Sequence, residues 1–367
     1  MKLLLYAFTI INFLSCAGQK PAAPVEMLSA RESKERLLEY LHEEQGKHIL
    51  AGQMDTAWND NIDPVSRVFN DTGKYPAIKG FDFLNVRDPE NGGGGSKQTD
   101  AAIQWWCNSP VKGKNGIVTF CWHWRMPPPG RLDRSGRDTY RPGFIIPMKD
   151  GELDRDDSLF TLIQEDLDIV AAELAKLRDA GVPVLWRPLH EASNSANHPP
   201  WFWWGANVDS YKALWAYMYD YYTNEKGLDN LIWVWNGQNG KWYPDMDTVD
   251  IAGYDAYESN RDNFAYVPNY QNTWHYYFTQ TQAWAPGKLI ALTENGAIPD
   301  PQALISTGSA WSWFMTWDDH GSAEGRTDQR NHWTGEWHNS NAHKKYVYRH
   351  PYVITLDKLP TFSRPEK

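Results

Sequence analysis

Two glutamates stand where short apolar runs come to an end. Glu191 follows Arg187-Pro188-Leu189-His190 at the close of the run 182–189, and Glu294 follows Leu292-Thr293 at the close of 289–293. Two carboxyl groups brought face to face can hydrolyse a glycosidic bond. One stays protonated and donates to the leaving oxygen; the other, ionised and about 5–5.5 Å away in a retaining enzyme, attacks the anomeric carbon. Residue type and spacing alone fit equally well two strand-end surface residues or ion-pair partners.

The ends of other runs mix flat rings with hydrogen-bonding groups. They read Trp122-His123-Trp124-Arg125, Tyr254-Asp255-Ala256-Tyr257 and Trp317-Asp318-Asp319, with Trp201-Phe202-Trp203-Trp204 soon after Glu191. A pyranose ring needs that mixture: rings cover its C–H face while polar groups bind its hydroxyls. The chain holds 20 Trp, 19 Tyr and 13 Phe. So many tryptophans are not expected to fit in one core, and three within four positions are hard to bury together, so part of the surplus is expected on a binding surface.

Positioning these residues requires a frame. Eight strand-like runs are legible: 48–51, 77–83, 116–122, 182–189, 231–235, 249–254, 289–293 and 310–317. Helical periodicity fills several gaps, most clearly 158–180, where Leu159, Leu162, Ile163, Leu167, Val170, Leu174 and Leu177 share a face and Gly181 closes the helix. Near-continuous apolar strands alternating with helices indicate an α/β fold with a parallel sheet, and eight of them a (β/α)8 TIM barrel. A doubly wound sheet would carry a glycine fingerprint after its first strand, which Ala51-Gly52-Gln53 does not open. The glycines at 92–95 read as a loop. In such a barrel the site lies at the C-terminal strand ends, and the fourth and seventh strands, which bear Glu191 and Glu294, face each other across the mouth. Ser29 and Glu32 form a capping box that starts a single catalytic domain spanning 29–362.

Lys and Arg total 36 against 46 Asp and Glu, a net charge of −10 with no basic stripe, which excludes nucleic acid as the main partner. Cys107 and Cys121 could pair or stay as free thiols, and the absence of Cys-x-x-Cys spacing leaves a structural zinc unsupported. His275 reads as packing, and His338 and His343 as surface residues. Asp318, Asp319 and His320 read as a charged loop. No metal and no cofactor is expected.

WRPLHEA at 186–192, WFWWGA at 201–206, WVWNGQN at 233–239, VDIAGYDAY at 249–257 and ALTENGA at 291–297, in this order and spacing, resemble the β-mannanases of glycoside hydrolase family 26. The resemblance runs from Ala51 to the end of the eighth strand. It implies retaining endo-β-1,4-mannanase activity on mannan, glucomannan or galactomannan, with Glu191 as acid/base and Glu294 as nucleophile. It further implies that His190 positions the nucleophile or holds substrate, that His123 binds the sugar at the cleavage point, and that Tyr257 sits beside the nucleophile. Trp201 and Trp317 become stacking platforms, Asp255 a contact of the substrate or of a group that touches it, and Arg187 a group that orients or tunes a carboxylate; Trp124, from the ring-rich end of the third run, is a further candidate substrate contact. The stretch 192–200, which leads to Trp201, is longer than the family pattern. Asp318 stands where some members carry arginine, so glycone-side binding beyond the first subsite is expected to differ. A mannobiose-releasing exo-enzyme, a sister β-glycanase acting on mixed-linkage glucan or β-1,3-xylan, and a non-catalytic glycan-binding lipoprotein are the alternatives.

The first residues read as an export signal. An apolar run at 3–14 is too short to span a bilayer, and Leu14-Ser15-Cys16-Ala17 resembles a lipoprotein cleavage site. The expectation is a lipoprotein-type signal peptide at 1–16, a tether at 17–28, and a monomer held to a bacterial membrane only by a lipid on Cys16. Its place would be the periplasmic side or the cell surface, or secretion if the lipid is absent. The partner would be β-mannan polysaccharide or manno-oligosaccharides.

Overall fold

Eight parallel strands form in chain order: β1 (Ile49–Met54), β2 (Ile78–Asp82), β3 (Ile117–Cys121), β4 (Val184–Arg187), β5 (Leu231–Trp235), β6 (Ile251–Ala256), β7 (Leu289–Asn295) and β8 (Trp313–Thr316). Each pairs with the next, and β8 returns to β1 with Leu50 opposite Trp313 and Gln53 opposite Thr316, so the sheet closes into the expected barrel. Every residue of β1, β5 and β7 is buried, as strands covered on both faces must be. The computed structural model describes residues 28–56, 63–87, 94–127, 140–193, 200–257, 270–319 and 331–363. The expected signal peptide with Cys16, residues 17–27 of the tether, the stretch 194–199 and His320 lie outside them.

Helices α1 (Ala30–Glu44), α2 (Pro64–Thr72), α3 (Gly94–Cys107), α4 (Ser158–Asp179), α5 (Val208–Asp220), α6 (Tyr270–Trp284), α7 (Pro301–Thr307) and α8 (Asn341–Arg349) surround the strands. The capping box of α1 forms as read: the Glu32 N–H donates to the Ser29 hydroxyl at 3.2 Å, and the Ser29 N–H to the Glu32 carboxylate at 2.8 Å. α3 begins at Gly94, so half of the glycine run read as a loop enters a helix. The first turn tolerates glycine there because its N–H groups have no partner within the helix. Between β5 and β6 no α-helix forms. Gly237, Gly240 and Pro244 break the segment into two three-residue 3-10 turns, at Gly240–Trp242 and Met246–Thr248. That short crossover leaves the ends of β5 and β6 close to the mouth.

The tryptophans overturn the packing expectation. Among the described residues fifteen tryptophans are buried, Trp203 and Trp204 among them, so most of the surplus builds the protein rather than a binding surface. A Trp can be buried when its single N–H finds an acceptor. The Trp105 indole donates to the Ile117 carbonyl, Trp203 to the Trp124 carbonyl and Trp204 to the His190 carbonyl. Cys107 is exposed at the end of α3, while Cys121 is buried in the barrel, and both are free thiols. His275 reaches Ser309 Oγ at 3.1 Å, a packing role. His343 is half-buried against the Ile298 carbonyl at 2.8 Å, and His338 packs on His332, so neither is the simple surface residue expected.

Inside the barrel, bulk on one strand is met by glycine on the next. A Cβ on Gly52 would lie 2.6 Å from the Phe314 carbonyl oxygen and 2.8 Å from Met315 Cε. On Gly80 the nearest atom would be the thioether sulfur of Met54 at 2.7 Å, the middle of a flexible side chain. Gly52→Ala is therefore expected to cost about 1–3 kcal/mol in urea denaturation, and Gly80→Ala clearly less, because a thioether can turn aside and a strand carbonyl cannot.

Candidate active site

Glu191, Asp255 and Glu294 converge at the C-terminal end of the barrel, with carboxylate oxygens within 4.8 Å of one another. Glu294 and Asp255 are buried and Glu191 is partly exposed. This separation matches a pair that reacts with substrate directly and is too short for the 6.5–9.5 Å or so that leaves room for an intervening water.

A bulge in β7 sets the pairing. Tyr254 lies opposite Leu292, but Asp255 lies opposite Glu294, so Thr293 is an extra residue. The other neighbour shows the same slip, with Phe314 opposite Leu292 and Thr316 opposite Asn295. The extra residue re-aims the strand end and brings Glu294 level with Asp255. Thr293 Oγ1 donates to Asp255 Oδ1 at 2.7 Å and accepts from Asn236 Nδ2 at 2.7 Å. Glu191 arrives differently. β4 stops at Arg187, earlier than the run 182–189 suggested, because Pro188 has no N–H and Leu189 and Glu191 take left-handed φ values of 50° and 47°. The Glu191 N–H donates to the Asn236 carbonyl at 2.7 Å and the Ser193 N–H to that of Gly237 at 3.0 Å, anchoring this turn to the end of β5. Gly205 presses on the same turn, since a Cβ there would overlap the Ala192 carbonyl at 1.9 Å.

Arg187 supplies the countercharge. Buried itself, it donates from Nη1 to Asp255 Oδ2 at 2.9 Å and from Nη2 to Glu294 Oε1. Tyr257 donates its hydroxyl to Glu294 Oε2 at 2.5 Å. The two glutamates thus have different surroundings. Burial and the charge of Asp255 push Glu294 up to about 7, opposed by Arg187, His123 and the Tyr257 hydroxyl. Burial, Asp255 and Glu294 push Glu191 well above the carboxylate range, opposed by Arg187 and the nearby Gln238 carboxamide. Glu191 is the carboxyl that keeps its proton, and Glu294 the one better equipped to lose it.

Beside them lies a chain of polar rings. Asp82 accepts His123 Nδ1–H at 2.6 Å as well as the His123 backbone N–H at 3.0 Å, and His123 Nε2 faces His190 Nε2 at 3.3 Å. Burial lowers the His123 pKa, but Asp82 and Glu294 outweigh it and the net shift is upward; burial, Arg187 and His123 hold His190 well down, in its neutral form. The ring of Trp317 lies 5.8 Å from that of His123, and Phe202 packs 4.9 Å from His190. Its chain neighbour Trp201 is 57% exposed and offers a free face.

Of the residues singled out in the sequence, the structure gathers Glu191, Glu294, Asp255, Arg187, Tyr257, His123, His190 and Trp317 at one end of the barrel. Trp124 is the correction. It is buried, stacked on Trp122 at 4.1 Å, and its N–H is spent on Asp166 at 2.7 Å, so it supports the site from behind instead of touching a ligand. Asp82, Asn236, Gln238 and His332, whose ring packs 5.6 Å from that of Tyr257, escaped the sequence reading. Asp82 ends β2 and Asn236 directly follows β5, so both were open to the strand-end rule that found Glu191; Asn236 and Gln238 fall within WVWNGQN, and His332 carried no pattern. Asp82, Cys121 and His123 also lie within 4.8 Å of one another, but the acceptors of Asp82 are taken by three N–H groups and the Cys121 thiol by the Phe81 carbonyl, so this trio is a hydrogen-bond network.

Residues 26–358 match the model of glycosyl hydrolase family 26. The chain is 36% identical over 339 residues to a mannan endo-1,4-beta-mannosidase of Thermothelomyces thermophilus, covering 90% of this chain and 62% of that protein. It is 30% identical to mannan endo-1,4-beta-mannosidase B of a Piromyces species, covering 89% and 52%. It therefore spans between half and two thirds of the length of these curated relatives. Among solved structures it resembles a beta-(1,4)-mannanase of Podospora anserina, with TM-score 0.71, 28% identity and coverage of 94% and 72%. It also resembles a beta-mannanase from a symbiotic protist of the termite Reticulitermes speratus complexed with gluco-manno-oligosaccharide, with TM-score 0.69, 29% identity and coverage of 92% and 97%.

Removing the buried cation leaves two buried carboxylates facing each other. Arg187→Met is expected to destabilise the fold by about 3–5 kcal/mol at mildly alkaline pH. The sign with pH follows from Asp255 and Glu294, both raised in the folded state and raised further without Arg187. Protonation neutralises them, so the deficit shrinks as pH falls toward the ordinary carboxylate range. Urea denaturation of both proteins across that range checks it, and a deficit that grew on acidification would contradict the charge assignment.

Proposed function

Because the chain belongs to glycosyl hydrolase family 26, we propose that it is a retaining endo-β-1,4-mannanase acting on mannan, glucomannan or galactomannan. The observation that carries this reading is the pair Glu191 and Glu294, with oxygens within 4.8 Å in a barrel mouth where burial and charge separate their protonation. The names of its relatives agree with it.

In this reading Glu191 donates its proton to the glycosidic oxygen as that bond breaks. Glu294 attacks the anomeric carbon from the opposite face and forms a glycosyl ester. Arg187 and Tyr257 keep the Glu294 carboxylate ionised and aimed. Ester formation consumes the charge of Glu294, one of the charges that held the Glu191 pKa high. The Glu191 carboxylate is then a suitable base: it takes a proton from water, which attacks the anomeric carbon and breaks its bond to the Glu294 oxygen, releasing the sugar with net retention and restoring both groups. His123 and His190 serve as hydroxyl partners at the cleavage point, with Trp317 and Trp201 as ring platforms on either side. A module that only bound glycan would gain nothing from three converging carboxyl groups, two of them buried, whose mutual repulsion must be offset by an arginine.

The test is a time course of products from linear mannan, with barley β-glucan and xylan as controls. A ladder of mixed manno-oligosaccharides is expected. Mannobiose alone from the start would keep the chemistry but make the cleft exo-acting, cleavage of a control glycan only would replace the substrate, and binding without cleavage would sink the enzyme reading. Glu191→Gln and Glu294→Gln should each lose at least about a hundredfold in kcat. With azide and an activated aryl mannobioside, Glu191→Ala should yield the β-glycosyl azide and Glu294→Ala the α-azide, the opposite stereochemistry identifying which carboxylate is the nucleophile.

We also propose that the domain is a monomer exported and held to a bacterial membrane by a lipid on Cys16, with the following residues as tether. Leu14-Ser15-Cys16-Ala17 supports this reading. Expression with labelled palmitate should label the full chain and leave Cys16→Ser unlabelled; equal labelling of the two would refute it.

A further inference from the structure

Gln238 is held in a conformation that its residue type disfavours. It lies just beyond β5, in the segment that carries no helix, with a left-handed φ of 59°. For a residue with a Cβ this costs on the order of 1 kcal/mol or more, and such strain persists only where surrounding contacts enforce it. Those contacts are specific. The Gln238 carboxamide donates from Nε2 to the Asp255 carbonyl at 2.8 Å and accepts the Asp255 N–H at 3.3 Å, so one side chain grips both backbone groups of the residue opposite Glu294. The Glu191 carboxyl lies close enough to this carboxamide for its pKa to be lowered by it, and its carboxylate is within 4.8 Å of that of Asp255. Its chain neighbours Asn236 and Gly237 receive the N–H groups of Glu191 and Ser193. The ends of β4, β5 and β6 therefore meet at this carboxamide.

Arg187 is committed to Asp255 and Glu294, and Tyr257 to Glu294. The charged and titratable groups that bear on Glu191 include Asp255 from β6, Tyr257 just beyond it, Glu294 from β7 and Arg187 from β4, and of these Arg187 favours its ionised form. We propose that Gln238 is the positioning residue of the acid/base: its carboxamide, locked to the Asp255 backbone, holds the Glu191 carboxyl in line with the glycosidic oxygen and stabilises that carboxylate when it must act as a base. The inference rests on the hydrolase reading above for the word acid/base, and on geometry for the rest.

Two variants test it. Gln238→Gly removes the carboxamide while suiting the left-handed backbone, and Gln238→Glu keeps the shape and the acceptor but cannot donate. On mannan, whose leaving sugar needs a proton, kcat is expected to fall by about ten- to a hundredfold in both, within the range of general acid catalysis. On a dinitrophenyl mannobioside, whose leaving group needs none, the glycosylation step measured as kcat/KM should stay within about threefold of wild type. Equal losses on the two substrates, or no loss on mannan, would overturn the proposal, since a merely structural role would not separate them. A second readout does not depend on activity. The Glu191 carboxyl, followed by carbon-13 NMR and assigned with Glu191→Gln, should titrate about half to one pH unit higher in Gln238→Gly, the direction in which a lost donor moves a carboxylate. An unchanged titration would overturn the inference even if the wild type cleaved no mannan, and an inactive wild type with the shifted titration would fault the hydrolase reading alone.

Discussion

The mouth of this barrel holds more negative charge than a buried site can keep without help, and Arg187 supplies that help. Its guanidinium reaches Asp255 with one nitrogen and Glu294 with another, with all three groups removed from water. At that depth neither an unpaired carboxylate nor an unpaired guanidinium would be tolerated. The rest of the site can be understood as what is needed to hold this arrangement. The bulge at Thr293 brings Glu294 level with Asp255, Thr293 and Tyr257 take up remaining carboxylate oxygens, and Glu191 is placed where Arg187 makes no direct bond to it. The difference between the two glutamates is thus largely one of what offsets burial: Glu294 receives Arg187, His123 and the Tyr257 hydroxyl, and Glu191 far less.

The barrel makes this possible because eight strand ends meet in a small area. Residues far apart in the chain become neighbours there, Asp82 with His123 and Arg187 with Glu294, and each of these contacts joins different strands. The aromatic inventory serves the same end from outside. Trp122, Trp124, Trp203 and Trp204 form an aromatic wall behind His123 and His190, and the indole N–H groups of Trp124, Trp203 and Trp204 are satisfied by Asp166 or by backbone carbonyls. Bulk of this kind excludes water and fixes the rotamers of the polar groups in front of it. That gives a site its precision, and here it accounts for more of the tryptophan than ligand stacking does.

Strain is concentrated at the same place. Among the described residues four non-glycine residues take positive φ, and three of them, Leu189, Glu191 and Gln238, lie on the two turns that present the partly exposed glutamate. A regular strand continued through Pro188 would have carried the chain past the mouth. The irregular turn instead delivers Glu191 to it, and hydrogen bonds to the Asn236 and Gly237 carbonyls hold the turn in place. The backbone departs from its preferred conformations where the chemistry needs a side chain aimed across strands, and the contacts around it offset the cost.

Much of this was legible in the chain itself. Runs such as Leu231-Ile232-Trp233-Val234-Trp235 can only be strands buried on both faces, and eight of them separated by helical stretches specify a parallel barrel because a period of residues is a local property. The strand-end rule then located Glu191 and Glu294 with no knowledge of their neighbours. What the chain could not show is whatever depends on two distant segments at once. The slip of β7 against β6 and β8 exists only once all three pair, the burial of Trp124 only once Trp122 and Trp203 close over it, and the loss of the helix after β5 brings Gln238 to Glu191 only once the barrel has closed. Sequence pattern determined the frame and the two carboxylates, because those follow from local periodicity and from the ends it implies. Tertiary structure alone decided which carboxyl keeps its proton, because that is a sum of burial and charges arriving from several strands.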